Sequence, residues 1–184
     1  VDPDHARVAD LAERAGLADL NRVRTGASQG SVWGDFDNDG HDDVFVYKWG
    51  QGQLFRNGGD GTFRDVTAGS GLERRINSSA ANWFDFDRDG VLDLFVTGYF
   101  AEEHDLWNLE TTRIMQDSFE FSNNGGRNVL YRGLGNGKFE DISDAVGITG
   151  TRWTYASLAA DFDGDGWQDL YVANDYGTEE LFLN

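Results

Sequence analysis

One nine-residue pattern, present three times, constrains this chain more than any other feature. It reads Asp35-Phe36-Asp37-Asn38-Asp39-Gly40-His41-Asp42-Asp43, then Asp85-Phe86-Asp87-Arg88-Asp89-Gly90-Val91-Leu92-Asp93, then Asp161-Phe162-Asp163-Gly164-Asp165-Gly166-Trp167-Gln168-Asp169. Each copy is D-x-D-x-D-G-x-x-D. Carboxylates a few Å apart repel one another and disfavour ionisation, so four in one tight loop need a partner. A hard divalent cation is that partner. Ca²⁺ takes six to eight oxygens, which alternate loop positions and one backbone carbonyl near position 7 can supply. The glycine at position 6 permits the turn that wraps the loop. The candidate ligands are therefore Asp35, Asp37, Asp39, His41 and Asp43; Asp85, Asp87, Asp89, Val91 and Asp93; and Asp161, Asp163, Asp165, Trp167 and Asp169, with His41, Val91 and Trp167 contributing carbonyls. About three Ca²⁺ ions are expected. These are not EF-hands, which need a bidentate Glu at position 12 and flanking helices. Position 12 here is Val46, Val96 and Val172. The runs that follow the loops, such as Val44-Phe45-Val46-Tyr47 and Leu94-Phe95-Val96-Thr97, are β-branched and aromatic and read as buried strands.

The charge balance agrees. The 184 residues carry a net charge of −18, and three bound Ca²⁺ would bring it to −12. Hydrophobic residues at 39% and aromatics at 14% argue for a packed core rather than disorder. So acidic a chain is unsuited to nucleic acid, which requires clustered Lys and Arg. With no Cys, disulfides and thiolate metal sites are excluded. No run of 18 apolar residues occurs, so no membrane span is expected. The first residue is Val rather than Met, which reads as a processed or trimmed chain. A cleaved secretory signal would place the loops in extracellular Ca²⁺. Asn77-Ser78-Ser79 matches a glycosylation sequon and reads as coincidence.

A longer repeat lies behind the loops. Phe63-Arg64-Asp65-Val66-Thr67-Ala68-Gly69-Ser70-Gly71-Leu72 aligns without gaps to Phe139 through Ile148, and also to Val8 through Leu17. Leu54-Phe55-Arg56-Asn57, Leu130-Tyr131-Arg132-Gly133 and Leu181-Phe182-Leu183-Asn184 form a further set. Another precedes each loop: Ser31-Val32-Trp33, Ala81-Asn82-Trp83 and Ser157-Leu158-Ala159. Gly58-Gly59-Asp60-Gly61 and Gly135-Asn136-Gly137 read as hairpin turns. Each unit thus has four short strands with an ion loop between the first and second, which describes a propeller blade. These loops, with the stretches Leu54 to Leu72 and Tyr171 to Gly177, resemble the FG-GAP (VCBS) repeat family, which includes the integrin α propeller and cartilage acidic protein-like bacterial repeats. The resemblance implies a calcium-loaded β-propeller architecture whose ligands match the loop positions named above. The literal FG and GAP tripeptides are absent.

The expected fold is all-β, with propeller-type blades of four antiparallel strands in about three repeats, an open or trans-completed array rather than a closed ring. The expected division is an N-terminal outer strand and linker over 1–30, repeats over 31–77 and 78–154, and a last repeat over 155–184 without its outer strand. Three blades are too few for a ring. The chain therefore reads either as part of a longer propeller, or as a subunit whose N-terminal strand, around Arg7 to Ala12, completes a neighbour's last blade. The second arrangement is strand addition and would build filaments. For residues 4–20, with Val8, Leu11, Ala12 and Ala15 at helical spacing, a plain helix competes with a strand followed by a helical turn.

The second repeat holds an insertion over 101–127. Glu102 to Met115 has the makings of a helix, and its Trp107, Met115, Phe119 and Phe121 would form either a contact surface or a packed excursion. Catalytic signals are weak. Gly26-Ala27-Ser28-Gln29-Gly30 matches G-x-S-x-G but lacks the strand-to-helix context of a nucleophile elbow. The three histidines, His5, His41 and His104, form no zinc motif. The expected function is an extracellular calcium-binding structural protein that self-associates head to tail, not an enzyme. An adhesion module for a protein or glycan ligand is the alternative, and a hydrolase a remote third.

Overall fold

The computed structural model describes residues 10–22, 26–110 and 112–184. Among them are twelve strands and one four-residue helix, α1 (Ala12–Ala15). The strands form three antiparallel sheets, as the propeller-blade reading expects. The first contains β1 (Gly26–Gly34), β2 (Asp43–Gln51), β3 (Gln53–Asn57), β4 (Phe63–Asp65) and β5 (Arg75–Asn77). The second contains β6 (Ala81–Phe84), β7 (Asp93–Val96), β8 (Val129–Gly133) and β9 (Phe139–Asp141). The third contains β10 (Trp153–Ala160), β11 (Asp169–Tyr176) and β12 (Glu180–Phe182). Each sheet is a meander with the Asp-rich loop joining its first two strands. Two details differ from expectation. The first sheet is five-stranded, because β5 pairs with the far end of β2 at Trp49–Gln51. Strand β1 begins at Gly26 rather than at residue 31.

The blades stack face to face. Side chains alternate along a strand, so Val44 and Val46 face one way and Phe45 the other. Between blades 1 and 2 lie Phe36, Phe45, Leu54, Leu72, Leu94 and Phe139, with Trp83 against them. Between blades 2 and 3 lie Phe95, Leu130, Ile148, Leu170 and Val172. After each outer strand the chain turns back. Thr67 and Ser143 accept hydrogen bonds from Leu54 N (2.8 Å) and Leu130 N (2.9 Å). Asp65 and Asp141 accept the N–H of Thr67 and Ser143 two residues on, an Asx-turn.

The N-terminal segment obeys the same repeat. A Cβ on Gly71 (φ 94°) would sit 2.2 Å from the Phe139 carbonyl oxygen, and one on Gly16 (φ 80°) would sit 2.7 Å from that of Phe63. Both sites demand glycine. Leu17 and Leu20 cover Val44, Val46 and Phe55, and Lys48 Nζ donates to Leu20 O at 2.5 Å. Residues 10–20 therefore cap blade 1 where residues 65–72 pack on blade 2. Of the strand expected around Arg7 to Ala12, Arg7 to Ala9 lie outside the described residues. Ala12 instead opens α1, with its N–H bonded to Asp10 Oδ1 (3.0 Å).

The insertion forms no helix over Glu102 to Met115 among the described residues. Local turns replace it: Asp105 accepts from Trp107 N and Asn108 N, the competition that carries Asp out of helices. Its return leg packs on blade 3. Trp153 Nε1 donates to Asn124 Oδ1 (2.9 Å) and Gly177 N to Phe119 O (3.1 Å). Its neck is tight, since a Cβ on Gly126 would lie 2.7 Å from the Gly98 carbonyl carbon. Trp107, Leu109, Met115, Phe119 and Phe121 remain exposed. Asn77 is buried and donates to Ala101 O, in keeping with a sequon present by coincidence. No helix among the described residues is long and apolar enough to cross a membrane.

Candidate metal centres

Each loop is folded by its own carboxylates. The position-1 Asp accepts two backbone N–H groups: Asp35 from Asp39 (3.0 Å) and Gly40 (2.8 Å), Asp85 from Asp89 (3.1 Å) and Gly90 (3.0 Å), Asp161 from Gly164 (2.6 Å) and Gly166 (3.0 Å). The position-5 Asp accepts the N–H of position 7, so Asp39 holds His41, Asp89 holds Val91 and Asp165 holds Trp167. Position 6 is left-handed at Gly40, Gly90 and Gly166, as the motif predicts. Position 4 is left-handed as well, at Asn38 (φ 57°), Arg88 (φ 59°) and Gly164 (φ 82°). The sequence offered a hint in Asn and Gly, which tolerate that conformation, but Arg88 masked it.

These turns converge the acids. Oxygens of Asp35, Asp37 and Asp39 lie within 4.8 Å of one another, as do those of Asp85, Asp87 and Asp93, and those of Asp161, Asp163 and Asp169. Ca²⁺–oxygen distances of about 2.3–2.6 Å put opposite ligands just under roughly 5 Å apart, so each cluster fits around one ion. Asp37 Oδ1 is buried with no hydrogen-bond partner, an orphaned anionic oxygen that a cation would satisfy. The chemistry of the donor set is hard oxygen throughout, which suits hard cations such as Ca²⁺, Mg²⁺ or Mn²⁺. Three Asp clusters can thus hold metal ions. The His41 ring lies against the Gly59 turn.

The position-9 Asp has a second role that the motif alone does not reveal. Asp43, Asp93 and Asp169 are buried, and each joins the loop to the third strand. Their Oδ2 atoms accept from Phe36 N (3.3 Å), Phe86 N (2.7 Å) and Phe162 N (2.8 Å). Their Oδ1 atoms accept from Asn57 N (2.7 Å), Gly133 N (2.8 Å) and Asn184 N (2.9 Å). Burial pushes the Asp43 carboxyl up to about 6, with the Asp37 and Asp39 charges adding to it against the N–H donors. Burial does the same to Asp93, also to about 6, with Asp87 and Asp89 adding. Asp169 moves the other way: the Asn184 N–H, then that of Phe162, hold it below the usual carboxylate range.

Two arginines from the third strands also reach the loops. Arg56 pairs with Asp37 (2.6 Å) and Asp39 (3.0 Å), and Arg132 with Asp87 (2.7 Å) and Asp89 (3.8 Å). The loops touch their neighbours: Asn38 Nδ2 donates to Gly90 O (3.0 Å), and the Arg88 guanidinium lies 4.9 Å over the Trp167 ring. The G-x-S-x-G match falls inside β1, where the pairing register slips between Ser28 and Gly30.

A family model for the FG-GAP-like repeat matches residues 35–96 and 118–172, more than half of the chain, and takes in all three loops. No curated protein matches the chain.

Proposed function

The chain belongs to the FG-GAP-like repeat family, and from that premise we propose that it is an extracellular calcium-stabilised module of propeller blades. The observation that carries this reading is the threefold convergence of Asp oxygens within 4.8 Å, each cluster in the hairpin between a blade's two inner strands. At each site Ca²⁺ would sit among carboxylates that otherwise repel, including a buried position-9 Asp. Its charge favours the ionised form that burial penalises. The residues proposed to hold the three ions are the Asp at positions 1, 3, 5 and 9 with the carbonyls of His41, Val91 and Trp167. The millimolar Ca²⁺ outside cells matches loops of the weaker extracellular class.

Because the ions bind the folded state, they stabilise it. At ten times Kd the gain is about 1.4 kcal/mol per site and about 4 kcal/mol for three. Thermal unfolding in excess Ca²⁺ and in chelator measures it. Identical melting curves in the two solutions would reject the reading.

A second reading, association with a further blade, rests on the free face of blade 3. Leu158, Tyr171 and Leu181 are exposed there, at register positions equivalent to Val32, Phe45 and Leu54, which pack against blade 2. Such a face suits another blade, from this chain or a second copy, and a protein ligand would compete for it. Sedimentation of the wild type and Leu181→Glu in Ca²⁺ tests the copy–copy case: a monomer at all concentrations in both would exclude it.

A further inference from the structure

Arg56 and Arg132 occupy the same structural position, one residue after Phe55 and Tyr131, which pair with Val44 and Leu94 of the second strand. The third blade has the same register, Phe182 against Leu170, and the next residue is Leu183. The backbone N–H one position further on meets the position-9 Asp in all three blades, at 2.7, 2.8 and 2.9 Å. The three sites therefore share their strand register and differ in the residue that the third strand turns toward the loop: Arg56, Arg132 and Leu183. A guanidinium faces Asp37 and Asp39, another faces Asp87 and Asp89, and none pairs with Asp161, Asp163, Asp165 or Asp169 among the described residues. Arg88 of the second loop lies over the Trp167 ring and beside Gly166, and among the described residues it pairs with no carboxylate.

Resting on the calcium reading above, we propose that these residues grade the sites: the third loop binds Ca²⁺ most tightly and fills first, while Arg56 and Arg132 act as built-in competing cations that weaken the first two. The cause is charge count, which tunes affinity in oxygen-ligand loops. The first and second loops each have Asp ligands ion-paired to a third-strand arginine; the third has no ion-paired Asp, and Arg88, beside Gly166 and Trp167, pairs with none of its carboxylates. Arg56 also occupies lone pairs of Asp37 and Asp39 that an ion needs. A unit charge about 5 Å from a divalent ion, weakened by water and salt, still changes affinity on the order of tenfold. The arginines have a compensating use. They hold the first two loops together when Ca²⁺ is scarce, whereas the third loop, with its Asp161, Asp163 and Asp165 exposed, has only its backbone N–H donors until an ion binds.

Calorimetric titration of the chelator-stripped chain with CaCl₂ tests this. Wild type should show one tight site and two weaker ones, separated by about tenfold. Leu183→Arg should remove the tight phase, and Arg56→Leu and Arg132→Leu should each convert one weak site to a tight one. Arg56→Lys keeps the charge and should leave its site weak. Circular dichroism in saturating Ca²⁺ checks that each variant is folded. Three equal sites in wild type, or arginine variants that bind no better or worse, would overturn the grading while leaving calcium binding intact. No binding heat in any variant would overturn both.

Discussion

Blades 2 and 3 carry the same loop between the same two inner strands, and yet their Asp clusters sit in different surroundings. In blade 2, β8 is overlaid by β9, and Arg132 leans on the loop. Asp93 is driven up to about 6 by burial. In blade 3, β12 is the last strand of its sheet, residue 183 is Leu, and Asp169 is held down by hydrogen bonds. Loop geometry is thus local, written by nine residues. The energetics are set by the third and fourth strands, which the nine residues do not contain.

Removing the aromatic that the outer strand inserts should show the largest contrast. Phe139 lies 6.1 Å from Phe36 and 5.8 Å from Trp83, ring to ring, inside the blade 1–2 core. Phe139→Ala should cost about 3–5 kcal/mol in urea unfolding, and Phe182→Ala, in the third strand of blade 3 and half-buried where its blade 2 counterpart Tyr131 is buried, clearly less. Equal losses would mean that blade 3 is as tightly packed as blade 2. Next comes the position-9 carboxylate. In saturating Ca²⁺, Asp93→Ala strips an ion ligand and leaves the N–H groups of Phe86 and Gly133 unpaired, a loss of about 2–4 kcal/mol. Asp169→Ala should cost roughly half that, because water more easily reaches the edge of blade 3. A larger loss in blade 3 would reverse the comparison.

Per carboxyl, the smallest effect is in pH. In chelator, folded Asp43 and Asp93 hold protons up to about pH 6 that the unfolded chain releases near its ordinary 3.8. Stability should therefore rise as pH falls from 7 toward 4, by about 1–2 kcal/mol per carboxyl. Asp169, whose folded value is lowered, contributes stability above 3.8 that is lost only at lower pH. In saturating Ca²⁺ the slope should reverse, because protons then compete with the ions. A flat profile in chelator would show that neither carboxyl is as desolvated as its burial implies.

Much of this was legible in the residues. Each D-x-D-x-D-G-x-x-D marks a hairpin because its Asp side chains and position-6 glycine specify the turn locally. The strands follow from the β-branched runs, and the alignment of Val8–Leu17 with Phe63–Leu72 pairs Gly16 with Gly71, each of which the structure sets against a carbonyl oxygen, of Phe63 and Phe139. What escaped depends on contacts distant in sequence. The pairing of β5 with β2 spans residues 49 to 77. The clamp from Asp93 to Gly133 crosses the whole insertion. The arginines were visible as the third letter of Leu-Phe-Arg-Asn and Leu-Tyr-Arg-Gly, but no pattern ties that letter to a loop on another strand. The helix expected over Glu102 to Met115 does not form among the described residues, where Asp105 turns the chain locally.

The pinched neck of the excursion, Gly98 against Gly126, makes that corner of blade 2 a natural port. The loop leaves after β7 and returns before β8, at the end of the sheet remote from the Asp turns. With the two ends already touching, the entropy of closure grows only with the logarithm of the enclosed length, about 0.6 kcal/mol per doubling. A lineage, or an engineer, can therefore vary the outward part of the excursion, keeping the return leg that packs on blade 3, without disturbing the Asp loops at the other end of the sheet.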